Sequence, residues 1–494
     1  MTTKGLWVIL VWTGSLVGIT SAGWMAGGES PQADAPGGLG RPLRGRLCLP
    51  LVYNPAKLMP TPPPLPTPSP QVTVPAQPHG LTQRVSVDSS GAQANGQSYA
   101  LSISSDGRYV AFASEASNLV PGDTNDASDL FVHDRGTGGT IRVSVSSSGS
   151  QANGRSYRSS ISADGRYVAF ESEASNLVAD DTNEAWDIFI RDRQTGQTQR
   201  VNVDSLGEQT RFGANRPSIS AHGRYVAFDS MATDLVAEDT NEQDDVFLHD
   251  RETGQTSRVS VGPWGRQANG ASVRAAISAD GRFVAFQSAA TNLVTDDTND
   301  RHDILCHDRQ TAVTTRVSVD SFGAQADGGS YTLSISADAR WVAFASEAAN
   351  LVSDDSNGVA DVFVHDRQTG QTTRVSVTSS GDEAEGASNR PCISADGRYV
   401  TFWSEAKLVE DDTNGLADIL CHDRRTGLTE RVTAGLSGAD PNGGSYWPAI
   451  SGDGRFVAFL SDADNLVPGD TNGVKDIFVH ELWSEEGTKA RRGG

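Results

Sequence analysis

The sequence predicts an all-β fold, a seven-bladed β-propeller of four-stranded blades closed by its N-terminal strand. Three observations predict it. A 58-residue unit recurs seven times, each unit holds four short β-type runs, and the repeat region opens on a run that belongs at the end of a unit while the last unit lacks it. Self-similarity at this period marks stacked supersecondary units, none of which can bury its apolar surface alone.

The clearest marker of the unit is a Ser-x-Asp-Gly-Arg turn followed by an aromatic residue and Val-Ala-Phe. Its aspartate falls at Asp106, Asp164, Asp280, Asp338, Asp396 and Asp453, with His222 in the third copy; the spacing is 58 residues five times and 57 once. In the second copy Ser160–Ser162 runs into the turn, Tyr167–Phe170 follows, then a long polar loop, then Asp187–Ile190, a second tight turn through Thr195-Gly196, and Gln199–Val203. Gly, Asp and Asn turn chemistry separates the runs, and helical periodicity is missing throughout the units.

The four runs order themselves in space by their patterning. The second and third are apolar on consecutive residues, as strands covered on both faces are. The fourth, Arg142-Val143-Ser144-Val145 in the first unit, alternates like a strand with one wet face. The first is small and polar around one Ile, which suits a crowded place beside a solvated axis. Seven such units lie within the usual range for propellers.

Ring closure is readable too. The Arg-Val run occurs at Arg84, Arg142, Arg200, Arg258, Arg316, Arg374 and Arg431, and the first of these precedes any turn marker. After Asp476–His480 no fourth run follows, so Thr82–Val87 is expected to supply the outer strand of the seventh blade and leave no open edge.

These residues resemble the WD40-like (PD40) repeats of the TolB type, which are built on Ser-Pro-Asp-Gly-Arg, an aromatic-Val-Ala-Phe strand and Asp-Ile-Phe/Tyr-Val before a Thr-Gly turn. The resemblance covers about residues 81–482 and departs in having Ala or Ser where that family often has Pro. It implies the propeller fold and leaves activity open, because such repeats serve accessory, binding and enzyme-attached propellers. A segment like the N-terminal domain of TolB is lacking.

Outside the ring, residues 1–22 read as a signal peptide: an apolar stretch from Gly5 follows Lys4, with Thr20 and Ala22 as small residues before a cleavage point. An uncleaved membrane anchor is the alternative. Residues 23–80 form a proline-rich linker, with ten prolines in the 24 residues from Pro55 to Pro78, expected as an extended spacer. The propeller spans 81–483 and a polar tail 484–494. Cys306 and Cys421 fall in third strands as small hydrophobes, Cys392 in an inner strand too far from Cys421 for a disulfide, and Cys48 in the linker.

The formal net charge is −22, and its distribution is uneven. The seven loops joining second to third strands hold 34 acidic residues and three basic ones, so the rest of the chain is net positive. These loops and the inter-blade connections emerge on one face, and the tight turns on the other. The acidic face excludes nucleic acid and favours cations or basic partners.

Each acidic loop carries Asp-Thr-Asn-x-x-x-Asp, with Ser356 once in place of Thr. The triplets are Asp123/Asn125/Asp129, Asp181/Asn183/Asp187, Asp239/Asn241/Asp245, Asp297/Asn299/Asp303, Asp355/Asn357/Asp361, Asp412/Asn414/Asp418 and Asp470/Asn472/Asp476. Oxygen ligands at this spacing suit a hard cation such as Ca²⁺. The same residues also close turns through hydrogen bonds to the backbone, and sevenfold repetition favours that structural role. His133, His249, His307, His365, His422 and His480, with Arg191 in the second unit, end the third strands and are expected near the Asp-Gly-Arg turn of their own blade. No nucleophile elbow, zinc motif or phosphate loop is present. The irregular copies, Arg211–Arg216 in a connection and Asn389-Arg390-Pro391, and the aromatics Trp264, Tyr446 and Trp447 near the loop-rich face are where a site would form.

The expected function is that of an exported, non-catalytic, monomeric binding or scaffolding module. It meets a protein or glycan at the cell surface or outside the cell through its acidic loop face; membrane contact comes only through an uncleaved N-terminal segment. The alternative is a polysaccharide- or peptide-acting hydrolase or lyase with its site at the central opening.

Overall fold

The computed structural model describes residues 80–483. The expected signal peptide, the linker up to residue 79 and the tail lie outside the described residues. Within them are seven antiparallel four-stranded sheets, with strands in chain order in six. Blade one consists of Ser98–Ile103, Tyr109–Ser114, Asp129–Asp134 and Gly139–Arg142. The seventh blade takes Ser445–Ile450, Phe456–Ser461 and Asp476–Glu481 from the end of the chain and Thr82–Arg84 from its start. Thr82 pairs with His480 and Arg84 with Phe478. The predicted closure is therefore present.

The core lies between blades. Leu130 and Val132 of blade one pack with Val168 and Phe170 of blade two. At the seam, Val85 and Ala94 from the chain start join Val110 and Phe112 of blade one and Ile477 and Val479 of blade seven. Second and third strands are buried along nearly their whole length, which is why their apolar residues run consecutively rather than alternating.

On the tight-turn face the glycine is required. Gly165 has φ +70°, and a Cβ there would stand 2.1 Å from the ring of Tyr109 in the preceding blade. That ring lies beneath two guanidinium groups, Arg108 at 4.9 Å from its own blade and Arg193 at 4.3 Å from the next. The motif thus couples neighbouring blades as well as turning the chain. Ala339 takes the glycine position in blade five, with φ +58°.

Two expectations need correction. The inner strands begin upstream of the predicted ones, as in Ser156–Ile161, and Arg216 and Arg390 belong to inner strands Ala214–Ile219 and Ser388–Ile393. A register shift in each inner strand breaks the alternation by which a strand is recognised. The histidines also have other partners. His133 Nδ1 lies 2.9 Å from Thr140 Oγ1 in the outer strand, and that hydroxyl donates to the Val87 carbonyl at 2.5 Å. The tight turn is held instead by the next residue, Asp134, which takes both Arg108 nitrogens at 2.7 and 2.8 Å. Successive side chains on a strand point to opposite faces, so His133 and Asp134 serve different neighbours.

Candidate functional site

The repeated Asp/Asn triplets do come together, around an arginine. In blade one the buried Asp129 accepts Ser144 Oγ at 2.6 Å, Gln151 Nε2 at 2.9 Å, Arg142 Nη1 at 3.1 Å and Asn125 Nδ2 at 3.3 Å. Asp123 accepts Gln151 at 2.8 Å and lies 3.4 Å from Arg142. The Asn125 oxygen takes the Ala127 N–H, so it serves the loop. Three of these donors converge on Asp129 Oδ2 and the serine on Oδ1. Equivalent arginines stand between Asp181 and Asp187, Asp239 and Asp245, Asp297 and Asp303, and Asp470 and Asp476. Asn183, Asn241, Asn357 and Asn472 each donate to the last aspartate of their own loop; Asn299 and Asn414 donate to carbonyls of the following connection.

Blades five and six depart from this pattern, because Glu383 and Asp440 replace the glutamine. Oxygens of Asp355, Asp361 and Glu383 lie within 4.8 Å of one another, and Arg374 sits 2.6 Å from Glu383. Burial, with the Asp361 and Glu383 charges, pushes Asp355 up to about 6; in blade six burial pushes Asp418 up to about 6.

Two cavities are bordered by inner strands. The larger, about 840 Å³, lies over blades one and two between Tyr99, Tyr157, Trp186, Glu115, Asp123, Asp126, Arg155, Arg158 and Glu171. Tyr99 and Tyr157 are half-buried with ring centroids 5.1 Å apart, and the Tyr99 hydroxyl is 3.3 Å from Glu115. Burial pushes that phenol up to about 12, so it stays a hydrogen-bond donor.

The second cavity, about 450 Å³, is the axial mouth, lined by the inner strands of all seven blades. Equivalent positions around it are Ala100, Arg158, Arg216, Arg274, Thr332, Arg390 and Trp447. Six of these have left-handed φ between +34° and +59°, the exception being Arg158. Arg158 reaches Glu171 at 3.2 Å and Arg216 reaches Asp229 at 2.8 Å. Both acids sit beneath the mouth, at 3% and 0% exposure, and burial raises both, Asp229 to about 7 despite its arginine. His, Tyr and carboxylate side chains are missing from the axial lining among the described residues.

Of the aromatics singled out in the sequence, Trp447 lies in the axial mouth with Arg390 4.5 Å above its ring. Tyr446 meets Trp403 edge-on at 5.8 Å. Trp264 is 97% exposed on a connection that runs against the outer strand of blade four, where Thr314 donates to the Val261 carbonyl. Sequence reasoning passed over the arginines at Arg158 and Arg274 and the tyrosines Tyr99 and Tyr157. A column of four arginines among seven equivalent positions was the available signal.

No known sequence family matches this chain, and no curated protein matches it. Solved structures do. An oligogalacturonate lyase in complex with manganese aligns over 83% of this chain and 99% of its own, at 12% identity and TM-score 0.50. The chain is a β-propeller. Oligogalacturonate lyase from Vibrio parahaemolyticus aligns over 83% and 100% at 12% identity and TM-score 0.49, and TolB from Acinetobacter baumannii over 72% and 76% at 14% and 0.35. At these identities the likeness is one of fold, which leaves the activity open.

Proposed function

We propose that this protein is an exported, non-catalytic propeller of the TolB-like repeat type that binds a glycan in the cleft over blades one and two. The observation that carries this reading is the cleft itself: two adjacent tyrosines and Trp186 beside Glu115, Asp126 and Arg155, apolar faces next to polar groups. Such walls suit sugar rings, whose C–H faces stack on aromatics while hydroxyls pair with charged side chains. Catalysis is the weaker reading, since Glu171 is held by Arg158 and by a backbone N–H rather than presented to a substrate. Export rests on the apolar segment from Gly5 to Ala22.

Calcium belongs to this reading at the acidic loops, above all at Asp355, Asp361 and Glu383, where an entering ion must displace the Arg374 guanidinium. The test of the binding function is a glycan array probed with the secreted chain and with Tyr157→Ala/Trp186→Ala. Saturable binding by the parent and its loss in the variant support the reading. An array without hits, or hits unchanged in the variant, would remove it.

A further inference from the structure

We propose that the axial mouth is a binding site for an oxyanion, a carboxylate, sulfate or phosphate group held by Arg158, Arg216, Arg274 and Arg390. The site shares only Arg158 and its acid Glu171 with the glycan cleft, and the proposal stands without that cleft.

Four guanidinium groups converge on one cavity of about 450 Å³, and only two have acids of their own. Thirteen residues after each arginine, the second strand carries Glu171, Asp229, Gln287 and Trp403 in turn. Arg158 and Arg216 therefore find carboxylates, whereas Arg274 and Arg390 make no salt bridge among the described residues. Asp229 does face blade four, but it spends its second oxygen on the backbone N–H of Arg274, at 3.1 Å. With both acids ionised, two positive charges are left over in the mouth.

Burial and the charges of Arg274 and Arg158 bring Arg390 down to about 10, and Arg274 is lowered by burial and by Arg216 and Arg158. Like charges pushed together on half-buried side chains cost stability in the free protein and are relieved by an anion between them. The forked guanidinium matches planar and tetrahedral oxyanions through paired N–H donors. Trp447 under Arg390 fixes that side chain in place.

The test titrates the full-length chain with inorganic phosphate, sulfate and citrate by calorimetry and thermal shift, alongside Arg274→Gln/Arg390→Gln. As a control, Arg108→Gln removes an arginine from the opposite face. The parent and the control should bind at least one of the three saturably at one site and melt at higher temperature with it. The double variant should lose at least tenfold in affinity and, without ligand, melt no lower than the parent, because relief of the repulsion among the arginines offsets the lost stacking of Arg390 on Trp447. Three flat titrations of the parent would overturn the proposal, as would binding unchanged in the double variant or equally lost in the control.

Discussion

The Glu171 carboxylate lies 3.0 Å from the backbone nitrogen of Arg216, a residue one blade further round the ring. The same carboxylate takes the Arg158 side chain of its own blade at 3.2 Å. One buried acid thus joins two inner strands and offsets part of the axial charge. Glu171→Ala should lower stability by about 1–3 kcal/mol, the cost of leaving a buried donor unsatisfied. It should also tighten citrate binding, since Arg158 is released. Urea unfolding and calorimetry read the two effects; a variant as stable as the parent would show that the inter-blade bond contributes nothing.

Ring closure yields a second prediction. Deleting Thr82–Val87 strips the seventh blade of its outer strand and removes Val85 and Val87, both buried. Burial of those two side chains alone is worth about 3–6 kcal/mol. The truncated protein should melt well below its parent and self-associate through the exposed edge of Asp476–Glu481. Differential scanning calorimetry with size-exclusion chromatography checks both.

The third prediction concerns pH. Burial lowers His365 to about 4, from 6.5 in the unfolded chain. Between those values the unfolded state binds a proton that the folded state refuses, so this histidine costs stability as pH falls from 6.5 to 4. Buried acids act in the opposite sense: Asp355 and Asp418, raised to about 6, favour the folded state as pH falls through the same range. The histidine contribution is isolated by comparing the parent with His365→Gln. Below pH 6.5 the variant should gain on the parent by at most about 1.4 kcal/mol per pH unit. A difference independent of pH between 7 and 4.5 would refute it.

Calcium gives a fourth. Millimolar Ca²⁺ should raise the midpoint of thermal unfolding, excess chelator should reverse it, and Glu383→Gln should reduce the effect by removing one of three close carboxylates. An unchanged midpoint, with no bound metal by elemental analysis, would remove calcium from the proposed function.

A fifth follows from Ala339, held at φ +58° where the equivalent turns have glycine. Ala339→Gly should stabilise the protein by up to about 1 kcal/mol, relief of left-handed strain outweighing the added freedom of the unfolded chain. Denaturant midpoints measure it directly.

Much of the architecture was legible in the chain. Blade number, the four strands per unit, the tight-turn glycine at Gly165 and the closure of the seventh blade by the segment from Thr82 all follow from local turn chemistry, strand patterning and period. The acidic triplets were legible as loop features, but their arginine was not. Arg142 meets Asp123 only because the outer strand folds back beside the loop. The full length of the inner strands is hidden in the sequence because the bulge at Arg216 or Arg390 interrupts their alternation.

What the sequence alone determined is thus whatever repeats within one unit: turns, strands, and the buried apolar runs that demand neighbouring blades. Apart from the closing strand, which its misplaced Arg-Val run reveals, the tertiary structure decided which side chains meet across units. Arg158, Arg216, Arg274 and Arg390 lie 58 or more residues apart, each unremarkable in its own strand. Closing seven twisted sheets into a ring turns every inner strand toward one axis, and that curvature sums four separate charges into a single field.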